Sequence, residues 1–412
     1  MNKPLSDFNF FDPETIESPF DFYKRLQAEA PVYNLPGTDI YVVTSNDLII
    51  EAVSKPTLFS SRISFLLEGR WSDDPDIKAE LAKGWPQVDT LLTNDPPDHI
   101  RFSKLVNKAF SAGRVGKMGD YITKITDELI DDFIAKGTCE FVHDFAVKLP
   151  VTVIADQLGV PREDLQKFKE WSDAFGVRLS GIATRDEELA ATRQVIEFQH
   201  YMMAKCTERR LEPRDDILSD LVNAQVAGER PLNEAELLNI IQQLLVAGNE
   251  TTTFGLTGAM LLLCRNPDQM ARVAADPSLI ANMVEEVLRL ESPVAGLWRI
   301  IAEDTELGGM ALPKGGKLFV SYQAANRQES RYVDSNTFDI DRHNAKTHLA
   351  FGRGVHMCIG AALARKEMNI AYGRLLARLK NVRLAPGRND FRHLQNIVLR
   401  GLLHLNIDFD KA

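Results

Sequence analysis

The 412-residue chain is short of several things, and each shortage excludes a class of protein. No apolar run reaches the roughly 20 residues a membrane-spanning helix needs; stretches such as LTGAMLLLC are about half that length. The N-terminal MNKPLSDFNFFDPETIESPF lacks the basic start and apolar run of a secretory signal or anchor, so a cytoplasmic protein with no membrane anchor is expected. Basic residues are outnumbered, 48 Lys and Arg against 58 Asp and Glu, and the net charge of -10 argues against a nucleic-acid binder. Cysteine is scarce: Cys139, Cys206, Cys264 and Cys358 lie too far apart for a disulfide framework or a close-spaced zinc module. There is no repeat, low-complexity tract or Gly/Ser linker. Single cores stop growing near about 250 to 300 residues, so the length calls for two domains or one large interlocked fold with unequal lobes.

What is present is mostly helical periodicity. PVYNLPGTDIYVVTSNDLIIEAV alternates and is rich in Val, Ile and Tyr, which predicts a small antiparallel sheet leading into a helix. Beyond residue 97, segments such as DHIRFSKLVNKAFS, MGDYITKITDELIDDFIAKG and ELAATRQVIEFQHYMMAKCTERR carry apolar residues three and four apart. Strand-like pieces return at AEDTELGGMALPKGGKLFVSYQAAN and at IVLRGLLHLNI. The fold class is mainly α with small antiparallel β-sheets.

Residues 234 to 265 predict one long helix, with Asn233 and Glu236 forming a variant capping box and Asn266-Pro267 stopping it. At about 1.5 Å per residue it would be roughly 48 Å long. Its middle reads AGNETTT, where Ala247 and Gly248 leave room beside the helix. Glu250 and the threonines that follow place polar groups where packing would prefer leucine. Such local violations are commonest at functional sites. A flat ligand lying over Ala247 and Gly248, with the acid and alcohol of Glu250 and Thr251 handling protons, explains the break; a solvated face or a bend is the alternative.

Cys358 stands in HLAFGRGVHMCIGAALARKE, where Phe351, Gly352, Gly354 and Gly360 surround it and a strongly helical segment follows. Glycine lets a backbone turn tightly and approach a bulky partner, and a sulfur at a helix N-terminus meets unpaired N–H groups and the positive end of the helix dipole, which favour thiolate. Zinc with His343, His348 and His356 leaves the glycines and Phe351 unexplained, and a nucleophilic Cys358 with His356 as base suffers from a spacing of two. Haem iron accounts for more: one axial thiolate, glycines for the porphyrin's approach, and basic groups for its propionates.

The segment from Phe351 through Gly354 and Cys358 to Gly360 resembles the haem-binding signature of the cytochromes P450, the haem-thiolate monooxygenases. Ala247-Gly248-x-Glu250-Thr251 is similar to that family's oxygen-activating helix motif, and Glu286-x-x-Arg289 with Arg342 to its structural Glu-Arg-Arg triad. DPPDHIR resembles the start of the family's helix beside the haem. The likeness covers nearly the whole chain and implies one cytochrome P450 domain over 1–412. Its β-rich lobe would be drawn mainly from 31–65, 300–325 and 383–410, its α-rich lobe from the rest, with haem between the long central helix and the Cys-loop helix.

The resemblance further implies haem b with Cys358 as axial ligand, propionate partners His99, Arg101, Arg299 and His356, and contacts from Phe351, Gly352, Gly360, Ala247 and Gly248. Ser103, followed by Lys104, stands where bacterial members commonly carry a propionate-binding arginine. Thr251 and Glu250 become the catalytic pair, delivering protons to the oxygen-binding side, and Leu244, Val294, Leu297, Ile397 and Val398 fall where the family lines its substrate pocket. The implied activity is hydroxylation of a lipophilic small molecule (terpenoid, steroid, fatty acid or similar) with O2 by a monomer. Electrons come from NAD(P)H only indirectly, through a separate ferredoxin and ferredoxin reductase. Lys104, Lys108, Arg114 and Lys117 form a basic run for an acidic ferredoxin, expected on the cysteine side of the haem. A peroxide-driven peroxygenase and a non-catalytic haem-thiolate sensor are the alternatives, and Glu250-Thr251 argues against both.

Overall fold

A computed structural model describes residues 4–64, 68–179 and 183–411. The chain forms two compact units: one from 1–60, 118–149 and 250–412, the other from 61–117 and 150–249. Among the described residues no helix is long and apolar enough to cross a membrane.

All ten strands of the described chain belong to the first unit: β1 (Val32–Asn34), β2 (Ile40–Val43), β3 (Phe59–Ser60), β4 (Thr138–Glu140), β5 (Leu297–Ile301), β6 (Thr305–Leu307), β7 (Met310–Leu312), β8 (Lys317–Val320), β9 (Leu379–Leu384) and β10 (Asn406–Lys411). They make a five-stranded sheet in the order β1-β2-β8-β5-β3, a three-stranded sheet β4-β10-β9 and the hairpin β6-β7. The larger sheet is mixed, since β2 and β8 run parallel while its other pairs are antiparallel. Hairpin geometry ties only strands that are close in sequence, and some 270 residues separate β2 from β8 (317 against 43). Successive side chains of a strand face opposite sides. Leu318 and Val320 of β8 accordingly enter one core cluster with Ile49 and Phe59, while Phe319 enters the other with Phe10 and Phe22. Burial on both faces is why this strand reads as a continuous apolar run rather than an alternating one.

The strand-like IVLRGLLHLNI is strand only from Asn406 onward; before it stand two isolated bridges, Val294 with Leu399 and His393 with Leu402. Gly401 marks a close approach here. A Cβ at that position would lie 1.8 Å from the Phe254 ring, so the backbone presses on an aromatic face that no larger residue allows.

The second unit is helical. Its Leu165–Leu179 and Arg185–Leu211 helices pack through Trp171 and Phe175 against Phe198, with ring centroids 5.7 and 5.2 Å apart. The long helix spans Glu234–Arg265 without interruption, 234–249 in the second unit and 250–265 in the first. It opens on the expected reciprocal cap: Glu236 N donates to Asn233 Oδ1 at 2.9 Å and Asn233 N to Glu236 Oε2 at 3.0 Å.

In the first unit the Ile280–Glu291 helix carries two neighbouring glutamates that point to different partners. Glu286 is fully buried between Arg289 (2.7 Å) and Arg342 (3.0 Å), which also bond the Asn326, Ser335 and Val333 carbonyls. Removing one member of such a cluster strands a buried charge, a loss of about 3 to 5 kcal/mol. Glu285 takes Arg365 Nε at 2.6 Å and His348 Nε2 at 3.2 Å, fastening both ends of the segment from His348 to Arg365. His348 Nδ1 accepts from Ala350 N, which leaves the proton on Nε2 to donate to Glu285. Burial by itself would raise the Glu285 carboxyl, but the bonds from His348 and Arg365 and the charge of Arg365 outweigh it and lower the pKa from 4.5 to about 2.

A folded-state pKa below the unfolded one gives stability that is present above about pH 4.5 and disappears as pH falls toward 2. The depression corresponds to roughly 3 kcal/mol. Urea unfolding should therefore weaken across that window in the native chain, and Glu285→Gln should be less stable at neutral pH and lack this component of the acid loss. An unchanged acid limb in the variant would contradict the clamp.

Candidate active site

The Cys358 segment begins where the clamp holds it. Gly352 and Gly354 adopt φ of +65° and +76°, a region open to glycine, and a Cβ on Gly354 would lie 2.9 Å from the Val53 carbonyl oxygen. A 3-10 turn at Gly354–His356 follows, and Cys358 N donates back to the Phe351 carbonyl at 2.9 Å, closing the loop. Gly360 then caps the Ala361–Arg378 helix. The Arg365 guanidinium lies 4.4 Å from the Phe351 ring centroid, a cation–π contact that places the ring beside the loop.

The Cys358 side chain is exposed although the chain is dense around its base. That desolvation pushes the thiol up; N–H groups of Gly360 and Ala361 and the charge of Arg365 pull it down without cancelling the rise. The helix end thus supplies the donors expected of it, yet burial moves the free thiol the other way. A cationic metal on the sulfur would reverse the balance, because a coordinating thiol is deprotonated by the ion itself.

Arg299 is 4% exposed on β5. Its Nη1 donates to the Trp298 carbonyl at 2.7 Å and its side chain bonds Tyr322, but no carboxylate pairs with it among the described residues. A buried guanidinium without an acid calls for an anion. Together with a sulfur presented on a glycine-built loop, this donor set suits a group that brings both a thiolate-binding iron and carboxylates, as haem does.

The remaining sequence-selected residues divide as follows. His356 ends the 3-10 turn and is half-buried; Gly352 and Phe351 are half-buried in the loop. On the long helix Ala247 is exposed, and a Cβ on Gly248 would meet only Ile154 Cγ1 at 3.9 Å, so there is room beside it. Glu250 and Thr251 are half-buried, while Thr253 is buried and donates to the Ala146 carbonyl at 3.1 Å, which makes this third threonine a packing group. His99, on the Asp98–Val106 helix, is 5% exposed, and burial lowers its pKa against the opposing charge of Asp95.

Arg101 departs from expectation. Its terminal nitrogens are engaged by Glu236 at 3.0 and 3.2 Å and by the Arg230 and Pro231 carbonyls, so it braces the start of the long helix in place of holding a propionate. Of the basic run, Arg114 pairs with Asp215 and Asp220 and Lys108 stands 3.9 Å from Asp220, whereas Lys104 and Lys117 are exposed. The three histidines considered for zinc are divided too, His348 being buried on Glu285 and His343 exposed.

Ala295 N donates to the Val398 carbonyl at 2.7 Å, which joins the 294–297 and 397–398 segments. Val294 and Leu297 lean on the cluster around Leu318, Ile397 and Val398 on that around Phe319, and Leu244 is buried on the long helix in the second unit. Sequence reasoning passed over Glu285, Arg365 and Tyr322. Their roles rest on contacts across 63, 80 and 23 positions (348 against 285, 365 against 285, 322 against 299), which no local spacing displays.

Comparison with known proteins shows the family. The family model described as Cytochrome P450 matches residues 130–396. Cytochrome P450 107B1 of Saccharopolyspora erythraea is 36% identical over 411 residues, covering 98% of each chain. Vitamin D(3) 25-hydroxylase of Pseudonocardia autotrophica is 32% identical over 394 residues, covering 95% of this chain and 94% of its own. The crystal structure of CYP109E1 from Bacillus megaterium in complex with testosterone superposes with a TM-score of 0.82 at 31% identity, covering 95% of this chain and 99% of that one. With its helix-rich fold, small sheets and a cysteine presented on a glycine-rich loop, the chain belongs to the cytochrome P450 family of haem-binding monooxygenases.

Proposed function

We propose that this chain, as a single domain over 1–412, holds haem b through the Cys358 sulfur and hydroxylates a lipophilic small molecule such as a steroid, terpenoid or fatty acid. The observation that carries the reading is the setting of Cys358: an exposed sulfur on a glycine-built loop, receiving N–H groups from Gly360 and Ala361. Bound there, haem supplies the oxygen chemistry, and the protein's share is positioning, proton supply and exclusion of water.

Arg299 neutralises one propionate as the acid that its buried guanidinium otherwise lacks, with His356 and His99 as further propionate partners. Phe351, Gly352 and Gly360 shape the sulfur side, and Ala247 and Gly248 give a flat approach on the long helix. Glu250 takes protons from solvent and Thr251 passes them to the oxygen-binding side. Leu244, Val294, Leu297, Ile397 and Val398 line the substrate pocket, apolar as a lipophilic guest requires. The names of the vitamin D hydroxylase and of the testosterone complex support that class. Arg101 has no part in this scheme, since Glu236 holds it. Reducing equivalents reach the haem from NAD(P)H through a reductase and an acidic ferredoxin, which meets Lys104 and Lys117. The protein works as a cytoplasmic monomer.

Titrating steroids, terpenoids and fatty acids against the haem-loaded protein should give a substrate-induced spin-state shift for one class. That compound should be hydroxylated only when NADPH, ferredoxin and reductase are all present. Turnover with hydrogen peroxide alone would indicate a peroxygenase, and binding without product a carrier; either result overturns the proposal. Thr251→Ala should lower product formation by about 10²-fold while NADPH oxidation continues. Unchanged coupling of NADPH to product would remove Thr251 from proton delivery.

A further inference from the structure

Away from the Cys358 loop, the first unit brings a glutamate and two histidines together at one edge of its three-stranded sheet. β4 and β10 pair antiparallel with Asn406 opposite Glu140, so the residues just before β10 fold beside the turn that follows β4. That turn, Val142–Ala146, is π-helical, a form that appears mostly as short insertions and frequently at functional sites. It carries His143, and His404 stands two residues before β10.

The two imidazole rings face each other nearly edge-on, with centroids 5.3 Å apart and planes at 62°. One ligand atom from each of Glu140, His143 and His404 lies within 4.8 Å of the other two. Both histidines are exposed, and neither uses a ring nitrogen in a hydrogen bond to the protein among the described residues.

Glu140 is held by two backbone donors. Its Oε2 accepts from His143 N at 2.8 Å and its Oε1 from Leu405 N at 2.6 Å. The carboxylate is therefore already aimed between the two histidine-bearing segments. Each carboxylate oxygen has a second lone pair, so these backbone bonds leave acceptor capacity on both atoms. They also do what outer-shell hydrogen bonds do for a metal-binding carboxylate, fixing its plane before the ion arrives.

We propose that Glu140, His143 and His404 form a transition-metal site, fitted to Zn²⁺, with water as the fourth ligand. Two imidazoles and one carboxylate are a donor set zinc accepts in tetrahedral geometry. Bonds of about 2.0 to 2.1 Å put tetrahedral ligand atoms roughly 3.4 Å apart. Closing from at most 4.8 Å thus needs the ligand atoms to approach one another by at most roughly 1.4 Å, within reach of rotation about the side-chain bonds of two exposed histidines. Nickel or copper would suit the same imidazoles, whereas magnesium and calcium prefer all-oxygen shells. A bound ion would tie the 142–146 turn to the 403–405 loop and so fasten β10, the last strand of the chain, to β4. Because it binds only the folded arrangement, it would stabilise the protein by mass action.

The test uses the untagged, haem-loaded protein, stripped with a chelator and equilibrated by dialysis against zinc chloride. Metal is counted by elemental analysis and the thermal midpoint is followed in parallel. One zinc per chain is expected, with a midpoint that rises on addition of zinc and returns with chelator. His143→Ala and His404→Ala should each weaken zinc binding by at least about tenfold and abolish the rise, while an unaltered haem spectrum shows that each variant is folded. His200→Ala, at a histidine bonded to the Lys83 carbonyl, should behave as the native chain. No zinc bound at tenfold excess over protein, or undiminished binding and stabilisation in the His143→Ala/His404→Ala double variant, would overturn the proposal.

Discussion

Much of the first unit depends on one helix, Ile280–Glu291, and on two adjacent carboxylates that it sends in different directions. Consecutive residues of an α-helix point about 100° apart. Glu285 therefore reaches His348 and Arg365, the borders of the Cys358 loop, while Glu286 reaches Arg289 and Arg342. His348 and Arg342 come from chain that otherwise runs as turns and short 3-10 pieces, whereas Arg365 lies on the Ala361–Arg378 helix and Arg289 on the same helix as its glutamate; through Arg289 and Arg342 the Asn326, Val333 and Ser335 carbonyls acquire donors. Buried ion pairs are weak evidence for net stability because desolvation offsets much of the attraction. What this arrangement provides is position, since a segment of irregular backbone is given one place relative to a rigid helix.

That positioning bears on the chemistry proposed for Cys358. A free thiol on this loop is pushed toward the neutral form by its surroundings, and the donors from Gly360 and Ala361 do not reverse the shift. In the proposed function a cationic partner on the sulfur offsets that shift. Arg299 shows the same incompleteness with the opposite sign, a buried cation with no acid beside it among the described residues. In the proposed function the two are halves of one cofactor's reception, the sulfur for an iron and the guanidinium for a carboxylate.

Local patterns carried most of what the sequence disclosed. The Glu234–Arg265 helix is present to the residue, because Asn233 and Glu236 form its cap and Asn266-Pro267 its stop within one short window. The Ala247-Gly248 pair signalled room beside that helix, and Gly248 has it. Long-range contacts were the illegible part. Nothing near Arg101 indicates that Glu236 holds it, and nothing near β2 indicates that its partner is β8 in parallel. The run IVLRGLLHLNI has strand composition, yet close packing of Gly401 on Phe254, contributed by a distant helix, leaves only bridges there. In the polar segment Glu250, Thr251, Thr252 and Thr253 look alike in composition. Burial is what separates Thr253, bonded to Ala146, from Glu250 and Thr251.

The central claim is that the sulfur of Cys358 is the anionic ligand of the haem iron. Its most direct test is the absorption spectrum of the reduced, haem-replete protein under carbon monoxide. The account predicts a Soret band displaced strongly to the red in the native chain and returned to the ordinary haem position in Cys358→His. A fully loaded, folded native protein whose Soret band under carbon monoxide stays at the ordinary position would contradict it.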